Sequence, residues 1–336
     1  MSNKINAVNR RTFIKSSAVA LSAASMAPAV FSQSNDTKVI LLGTQGGPNF
    51  NLQRGETSSL LMVGDRPYLV DCGYGTMRAL KEAGVNFLQV PNIFLTHLHD
   101  DHVADVPSLL SHQWTQGRID PTTVYGPYGT DALVEAVLQL SQANTDIRFI
   151  DEQRTLQPSS VFRSEVIPAT QSIRKSFEDD RVVVSTIENT HFPDWAKEQM
   201  PHRALSYRFE TEDRNVVFSG DTTYSENLVE LAKGADVFVC ETIDLKTTRE
   251  WFDSMTGGGD DDLYNDGREG IWQHIIETHA STQDAGRMAA EAGVKKLVLN
   301  HVLPGALMAV PDEAYFEGIR EHYQGEVIMG TDQLVI

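Results

Sequence analysis

Three imidazoles and two carboxylates fall within seven residues at Thr96-His97-Leu98-His99-Asp100-Asp101-His102. They follow the apolar, β-branched run Asn92-Ile93-Phe94-Leu95-Thr96, which reads as a buried strand emptying into a loop. A loop of that composition can wrap a cation. On an extended segment His97 and His99 lie on one side and can share a first ion, while Asp101 and His102 turn towards a second, so the spacing suits two metals. Imidazole and carboxylate without thiolate favour Zn²⁺, with Fe or Mn as substitutes. A solvated polar loop is the alternative, but it would not gather so many ligand-type side chains against a strand end.

The surrounding elements must hold that loop. Residues 39–42 read as a strand ending in a Gly-rich turn, and 59–63 with 68–70 as a hairpin across Gly64-Asp65, closed by Asp71. Residues 76–84 form a helix with a Thr76 cap and a Gly stop. Val106, Leu109, Leu110 and Trp114 make one face of a helix under the metal loop, with Trp114 as core or pocket wall and His112 at the surface. Residues 124–127 read as a strand, after which Thr130 caps a helix. The stretch 145–190 alternates β-like runs with polar turns, its clearest strand, 182–187, leading to Glu188-Asn189-Thr190-His191-Phe192-Pro193. Two paired strands, 204–209 and 215–218, deliver Ser219-Gly220-Asp221. The glycine permits close backbone approach, and the two oxygens of Asp221 can bridge two cations.

Beyond it come a helix at 225–234 and a strand at 236–240 that places Glu241 behind the ligands. Residues 245–276 fit neither period cleanly; aromatics interleave with Gly257 to Asp262, and the stretch reads as a mobile lid rather than a calcium loop, whose EF-hand spacing it lacks. Ser281 and Asp284 make a capping box for a helix ending at Gly293, and 297–300 is a final buried strand carrying His301. His97, Asp221 and His301 thus all follow strands, the expected place for ligands in a layered α/β protein.

The heptad, Ser219-Gly220-Asp221-Thr222 and Asn300-His301 resemble the metal-binding motifs of the metallo-β-lactamase-fold hydrolases. Leu42-Gly43-Thr44-Gln45-Gly46-Gly47-Pro48, Val70-Asp71-Cys72-Gly73-Tyr74-Gly75-Thr76 and Thr278-His279-Ala280-Ser281-Thr282 are similar to the branch holding ribonuclease Z and certain exported arylsulfatases and phosphodiesterases. The resemblance covers residues 38–336. It implies an α/β fold, the pseudo-duplicated four-layer αββα sandwich, although no internal repeat is evident in the sequence. It implies a metal ligand at His191, with His202 the competing candidate, a supporting role for Asp71 behind the metal loop, and an acid/base role for His279. Two Zn²⁺ would then be held by His97, His99 and His191 and by Asp101, His102 and His301, bridged by Asp221. They would share a water whose pKa they depress, generating hydroxide. Asp101 and His279 are the catalytic candidates, His279 protonating the leaving group.

The N-terminus differs in kind. Asn9-Arg10-Arg11-Thr12-Phe13-Ile14-Lys15 followed by an Ala/Ser-rich apolar run to Val30 reads as a twin-arginine export signal over residues 1–32, leaving 33–336 as the hydrolase domain. The run is shorter than the roughly 20 residues that span a bilayer. Export would make the mature protein periplasmic or secreted, with no membrane association. Residues 1–32 carry +4, so their removal takes the net charge from −18 to −22. Such a body repels long polyanions. Ribonuclease Z enzymes that grip tRNA use a long basic arm between the third and fourth metal motifs, yet His191 and Asp221 lie only 30 positions apart and the charges between them are mixed. The expectation is therefore a small-molecule ester substrate and no nucleic acid, with a homodimer left open.

Composition is otherwise ordinary for a globular chain of 336 residues, at 41% hydrophobic and 22% charged. The two cysteines, Cys72 and Cys240, sit in apolar strand-like runs and read as buried thiols more readily than as a disulfide. The function expected is an exported dinuclear zinc hydrolase of small phosphodiesters or sulfate esters. The alternative is a lactone or β-lactam hydrolase; a non-enzymatic metal-binding protein is disfavoured because no ligand position is missing.

Overall fold

Strand residues alternate between two apolar environments, and that alternation builds a layered molecule. The computed structural model of the chain describes residues 36–255 and 268–336. Val39 and Leu41 face a core between two sheets, with Phe94, Tyr207, Phe209 and Val239, while their neighbours Ile40 and Leu42 face helices on the outside. The second sheet does the same, turning Val217, Phe238 and Leu299 to its own helices. The result is the expected αββα sandwich.

The first sheet runs in sequence order: β1 (Thr37–Gly43), β2 (Ser58–Val63), β3 (Arg66–Val70), β4 (Asn92–Phe94), β5 (Thr122–Gly126) and β6 (Phe162–Val166). The second holds β7 (Arg174–Glu178), β8 (Val183–Glu188), β9 (Leu205–Glu210), β10 (Asn215–Phe218), β11 (Val237–Ile243), β12 (Lys296–Leu303) and β13 (Glu326–Met329), also in consecutive order. Each begins antiparallel and ends parallel, the change falling after β3 in the first and after β10 in the second. The duplication absent from the sequence is thus visible in the topology. The metal loop leaves the first parallel strand of one sheet, and Ser219-Gly220-Asp221 precedes the first parallel strand of the other.

Several local readings change. Thr76 and Thr130 do not cap their helices; Gly75 and Gly129 occupy those positions at φ 100° and 99°. Each threonine instead donates its hydroxyl to the preceding turn, Thr76 to the Gly73 carbonyl at 2.7 Å and Thr130 to that of Pro127 at 2.8 Å. Residues 145–151, expected within a β-like stretch, belong to the helix Gln142–Asp151. The expected lid is two helices, Leu245–Met255 and Arg268–Thr278, and Trp251 and Phe252 are buried with Ile243, Ile275 and Leu303 in a packed wall. The Gly257 to Asp262 run, calcium-loop alternative included, lies outside the described residues, as do residues 1–32, expected to be an export signal. Trp114 is core, its Nε1 donating to the Leu156 carbonyl at 2.9 Å, and His112 is exposed. The capping box at Ser281 and Asp284 is present. Both cysteines are free and buried. A helix at Asp312–Arg320 and the edge strand β13, not foreseen, complete the second half. Among the described residues no helix is long and apolar enough to cross a membrane.

Candidate metal centre

β3 and β4 end side by side, and the turns beyond their last residues brace one another. Asp71, just past β3, takes a left-handed backbone at φ 59°, which aims its carboxylate across at the metal loop. There it accepts the Thr96 amide at 2.8 Å and the Thr96 hydroxyl at 2.9 Å, and lies 2.9 Å from His102 Nδ1. That bond orients the His102 ring so that Nε2 faces inward. Asp101 and His102 occupy the short helix Asp100–Val103. Gly47 presses against it so closely that a Cβ there would stand 2.6 Å from Asp101 Oδ2.

The other donors come from the second sheet. His191 follows β8, and its Nδ1 donates to the Thr278 carbonyl at 2.9 Å, which fixes the tautomer and leaves Nε2 as the electron-pair donor. Asp221 follows β10 through Gly220, whose φ is 59° and whose absent Cβ would meet that of Thr96 at 2.7 Å. His301 departs from expectation, lying inside β12 rather than past its end. Asn300 pairs with Glu241 and Val302 with Thr242, so His301 is an extra residue, a bulge at φ 44°, which re-aims its ring.

All seven expected ligands converge, as two donor sets. In the first, His99 Nδ1 lies 3.0 Å from His97 Nε2 and 3.2 Å from His191 Nε2. In the second, Asp101 Oδ2 lies 3.5 Å from His102 Nε2 and 3.2 Å from His301 Nε2. Asp221 stands between them, Oδ2 at 3.8 Å from His97 Nε2 and 3.3 Å from His301 Nε2, Oδ1 at 3.2 Å from His102 Nε2.

This donor arrangement fits cations. His102 Nε2 and Asp221 Oδ1 are buried and face each other at 3.2 Å without a well-directed hydrogen bond, and His301 Nδ1 has only Glu241 Oε2 at 3.4 Å beside it. Buried polar atoms left in that state are costly unless something charged satisfies them. Burial, reinforced for His97 by the charges of His102 and His191, holds His97, His99 and His191 below the ordinary histidine range, hence as neutral donors. In the second set burial is outweighed: Asp221, Asp101 and Asp71 push His102 well up, and Asp221, Asp101 and Glu241 do so for His301. Against burial, His102 and His301 hold the Asp101 carboxyl at about 2. The chain alone keeps protons here that a cation would replace. His/Asp clusters of this kind support a dinuclear metal site.

His279 adjoins the second set. Its Nδ1 is 2.8 Å from Glu241 Oε2 and 3.7 Å from Asp221 Oδ2, and its ring stacks on that of His301 at 5.3 Å. Burial opposes protonation, but Glu241 and Asp221 together raise its pKa above the ordinary value. Glu241 also accepts the Thr222 amide and lies 3.4 Å from His301 Nδ1, and with Asp221, His279 and His301 it makes a third group of possible donors. His202 is not among the donors; it is exposed and packs against Tyr128 at 5.6 Å. One residue was missed. His274, on the helix Arg268–Thr278, sets its ring 5.7 Å from those of His99 and His191 and 5.4 Å from that of His279. Partial desolvation between the cavities, with His279 and His99, lowers its pKa to about 4, although the residue is exposed. Its only sequence signal was its place five residues before His279.

The donors open into two cavities that share His99, Gly270 and His274. One, of about 630 Å³, runs past Phe192, Trp195, Met200 and Arg203. The other, of about 500 Å³, contains Asp101, Asp221 and His279 and is walled by Trp251, Phe252, Met255 and Ile271.

Comparison with known proteins places this geometry. The family model described as Anti-Pycsar protein Apyc1 matches residues 37–250. Ribonuclease Z of Mycobacterium sp. (strain KMS) is 30% identical over 269 residues, covering 80% of this chain and 84% of that protein, and ribonuclease Z of Mycobacterium marinum is 28% identical over 298 residues, covering 88% and 96%. Among solved structures, human tRNase Z, short form, has a TM-score of 0.61 at 20% identity over 89% of this chain and 98% of that one. The metallo-β-lactamase-fold protein YhfI of Bacillus subtilis has 0.60 at 18% over the same shares. The expectation of a small-molecule ester and no nucleic-acid partner is corrected by these relatives, which are named as enzymes acting on RNA. Net charge sums the whole surface, whereas a substrate meets the local field at the site. The short interval between His191 and Asp221, filled by the helix Asp194–Lys197 with β9 and β10, bears on an arm and not on the centre. The chain belongs to the Apyc1 family and, with its ribonuclease Z relatives, to the metal-dependent hydrolases of the metallo-β-lactamase fold.

Proposed function

We propose that the chain is a dinuclear zinc phosphodiesterase that cleaves RNA. The observation that carries this reading is the pair of buried donor sets meeting at Asp221, with the His279–Glu241 pair on the wall of the cavity they face. RNA as substrate is supported by the ribonuclease Z relatives, and zinc by a donor set of imidazole and carboxylate without thiolate. Bound ions would supply an activated water and neutralise the charge that grows on the phosphoryl oxygens.

The chain's own residues do the rest. His97, His99 and His191 offer neutral nitrogens; Asp101, His102 and His301 form the second set, and Asp221 serves both. Asp71 and the Thr278 carbonyl keep the His102 and His191 rings aimed. With Nδ1 engaged by Glu241, His279 has Nε2 to offer the departing oxygen. As the oxygen of water joins phosphorus, the P–O ester bond on the leaving side breaks and the His279 proton passes to that oxygen; the proton the water gives up returns through solvent to His279, so the products are an alcohol and a phosphate monoester. Trp251 and Phe252 give that cavity an apolar wall. Zinc-loaded protein should cleave an end-labelled RNA, whereas intact RNA alongside turnover of a sulfate ester, lactone or β-lactam would overturn the assignment.

Residues 1–32 are proposed to direct twin-arginine export, on the motif around Arg10 and Arg11. Arg10→Lys with Arg11→Lys should leave unprocessed precursor in the cytoplasm; normal export of that variant would refute the signal.

A further inference from the structure

The two cavities divide at His99 and His274, and the division has a direction. His99 is the half-exposed member of the first donor set, and both cavities touch it. A phosphodiester placed over the donors therefore has one substituent on each side of that ridge. The two sides differ in chemistry. His279, the proton donor of the proposed reaction, lines only the second cavity, so the departing group lies there, against Trp251, Phe252 and Ile271. The group that keeps the phosphate must lie in the first.

The walls of that first cavity define its occupant. Trp195, on the short helix Asp194–Lys197, leaves 61% of its surface exposed, and Phe192 is only half-buried just past the ligand His191. Tryptophan left so open carries a large apolar face that water solvates poorly, and it becomes useful when a planar group covers it. Around these rings stand Gln199, Gln273 and Glu277, donors and acceptors of the kind that meet base edges. A cavity of about 630 Å³ lies in the range that holds a nucleoside. The helix is held from behind, because the buried carboxylate of Glu188 lies 3.6 Å from both Lys197 Nζ and Arg203 Nε.

We propose that the first cavity is a nucleobase subsite for the phosphate-retaining side of the substrate, with the base stacked on Trp195, and that it makes the enzyme prefer a nucleoside there over any leaving-side feature. This rests on the phosphodiesterase reading for its direction, and its recognition half can be tested apart from turnover. Stacking tolerates sequence, since every base offers a π-face, so the subsite selects nucleotides as a class.

The test uses the zinc-loaded full chain and two diesters that both release 4-nitrophenolate: thymidine 5′-(4-nitrophenyl phosphate), which keeps a nucleoside on the phosphate, and methyl 4-nitrophenyl phosphate, which does not. Trp195→Ala should lower kcat/KM about tenfold on the first and leave the second unchanged, and Trp195→Phe should restore most of the loss. Equal losses on both, or none on either, overturn the subsite. Equilibrium binding of thymidine 5′-monophosphate should weaken in parallel in Trp195→Ala, and undiminished binding overturns it too. Wild-type protein that binds the monophosphate through Trp195 yet hydrolyses neither diester would support the subsite while defeating the phosphodiesterase reading.

Discussion

The two donor sets differ more than their shared Asp221 suggests. The first is all imidazole, held neutral by burial and opening through His99 into both cavities. The second is buried throughout, adds the Asp101 carboxylate and has two further acids, Asp71 and Glu241, against its histidines. One offers a cation electron pairs; the other offers pairs and negative charge. The second should therefore bind more tightly, and the first should hold the exchangeable ion.

The largest effect that could overturn this contrast belongs to the residue both sets share. Asp221→Ala should cut metal content from about two ions per chain to fewer than one and abolish hydrolysis; full metal content with full activity would remove Asp221 from the bridge. Next comes chemistry without metal loss. His279→Ala should slow RNA and alkyl diesters by about 10²–10⁴-fold, nitrophenyl diesters far less, with metal content unchanged. Equal slowing of both substrate types would take the proton-donor role from His279. A smaller effect tests what stands behind the second set: Asp71→Asn should weaken its ion by about 10–100-fold, read by competition with a chromophoric chelator, while the first ion stays put. The smallest is an ordering. Graded chelation of the wild type should release one ion before the other, and His191→Ala should abolish the early phase; simultaneous release in the wild type would erase the distinction between the sets.

How much of this was legible depended on distance along the chain. The heptad declared itself because four of its donors lie within six residues and the strand before it is a plain apolar run. His191 and His301 could be placed through resemblance only, since a lone histidine after a strand says little, and the bulge that turns His301 inward is a pairing between β11 and β12 with no local signature. His274 escaped because helix Arg268–Thr278 is weakly patterned: half-buried Trp272 and exposed Ile271 and Ile276 blur its period. Thr76 and Thr130 misled for a plainer reason, since hydroxyls that can cap a helix can equally bond the turn before it. The four-layer arrangement was implied by the resemblance; the residues themselves showed apolar strand-like runs ending at the ligands, which fit a layered α/β protein without numbering its layers.

The bulge at His301 and the left-handed turn at Asp71 lie in different sheets, and the seven donors divide the same way: His97, His99, Asp101 and His102 hang from β4, whereas His191, Asp221 and His301 hang from β8, β10 and β12. Each ion would therefore act as a rivet through the sandwich as well as a reagent. Ligation of the native chain alone adds stability as RT ln(1 + [ion]/Kd), about 2.7 kcal/mol at a hundredfold excess over Kd. Chelation should accordingly lower the melting temperature and speed amide exchange at residues 96–102 and 300–302 together, although some 200 positions separate them in the chain.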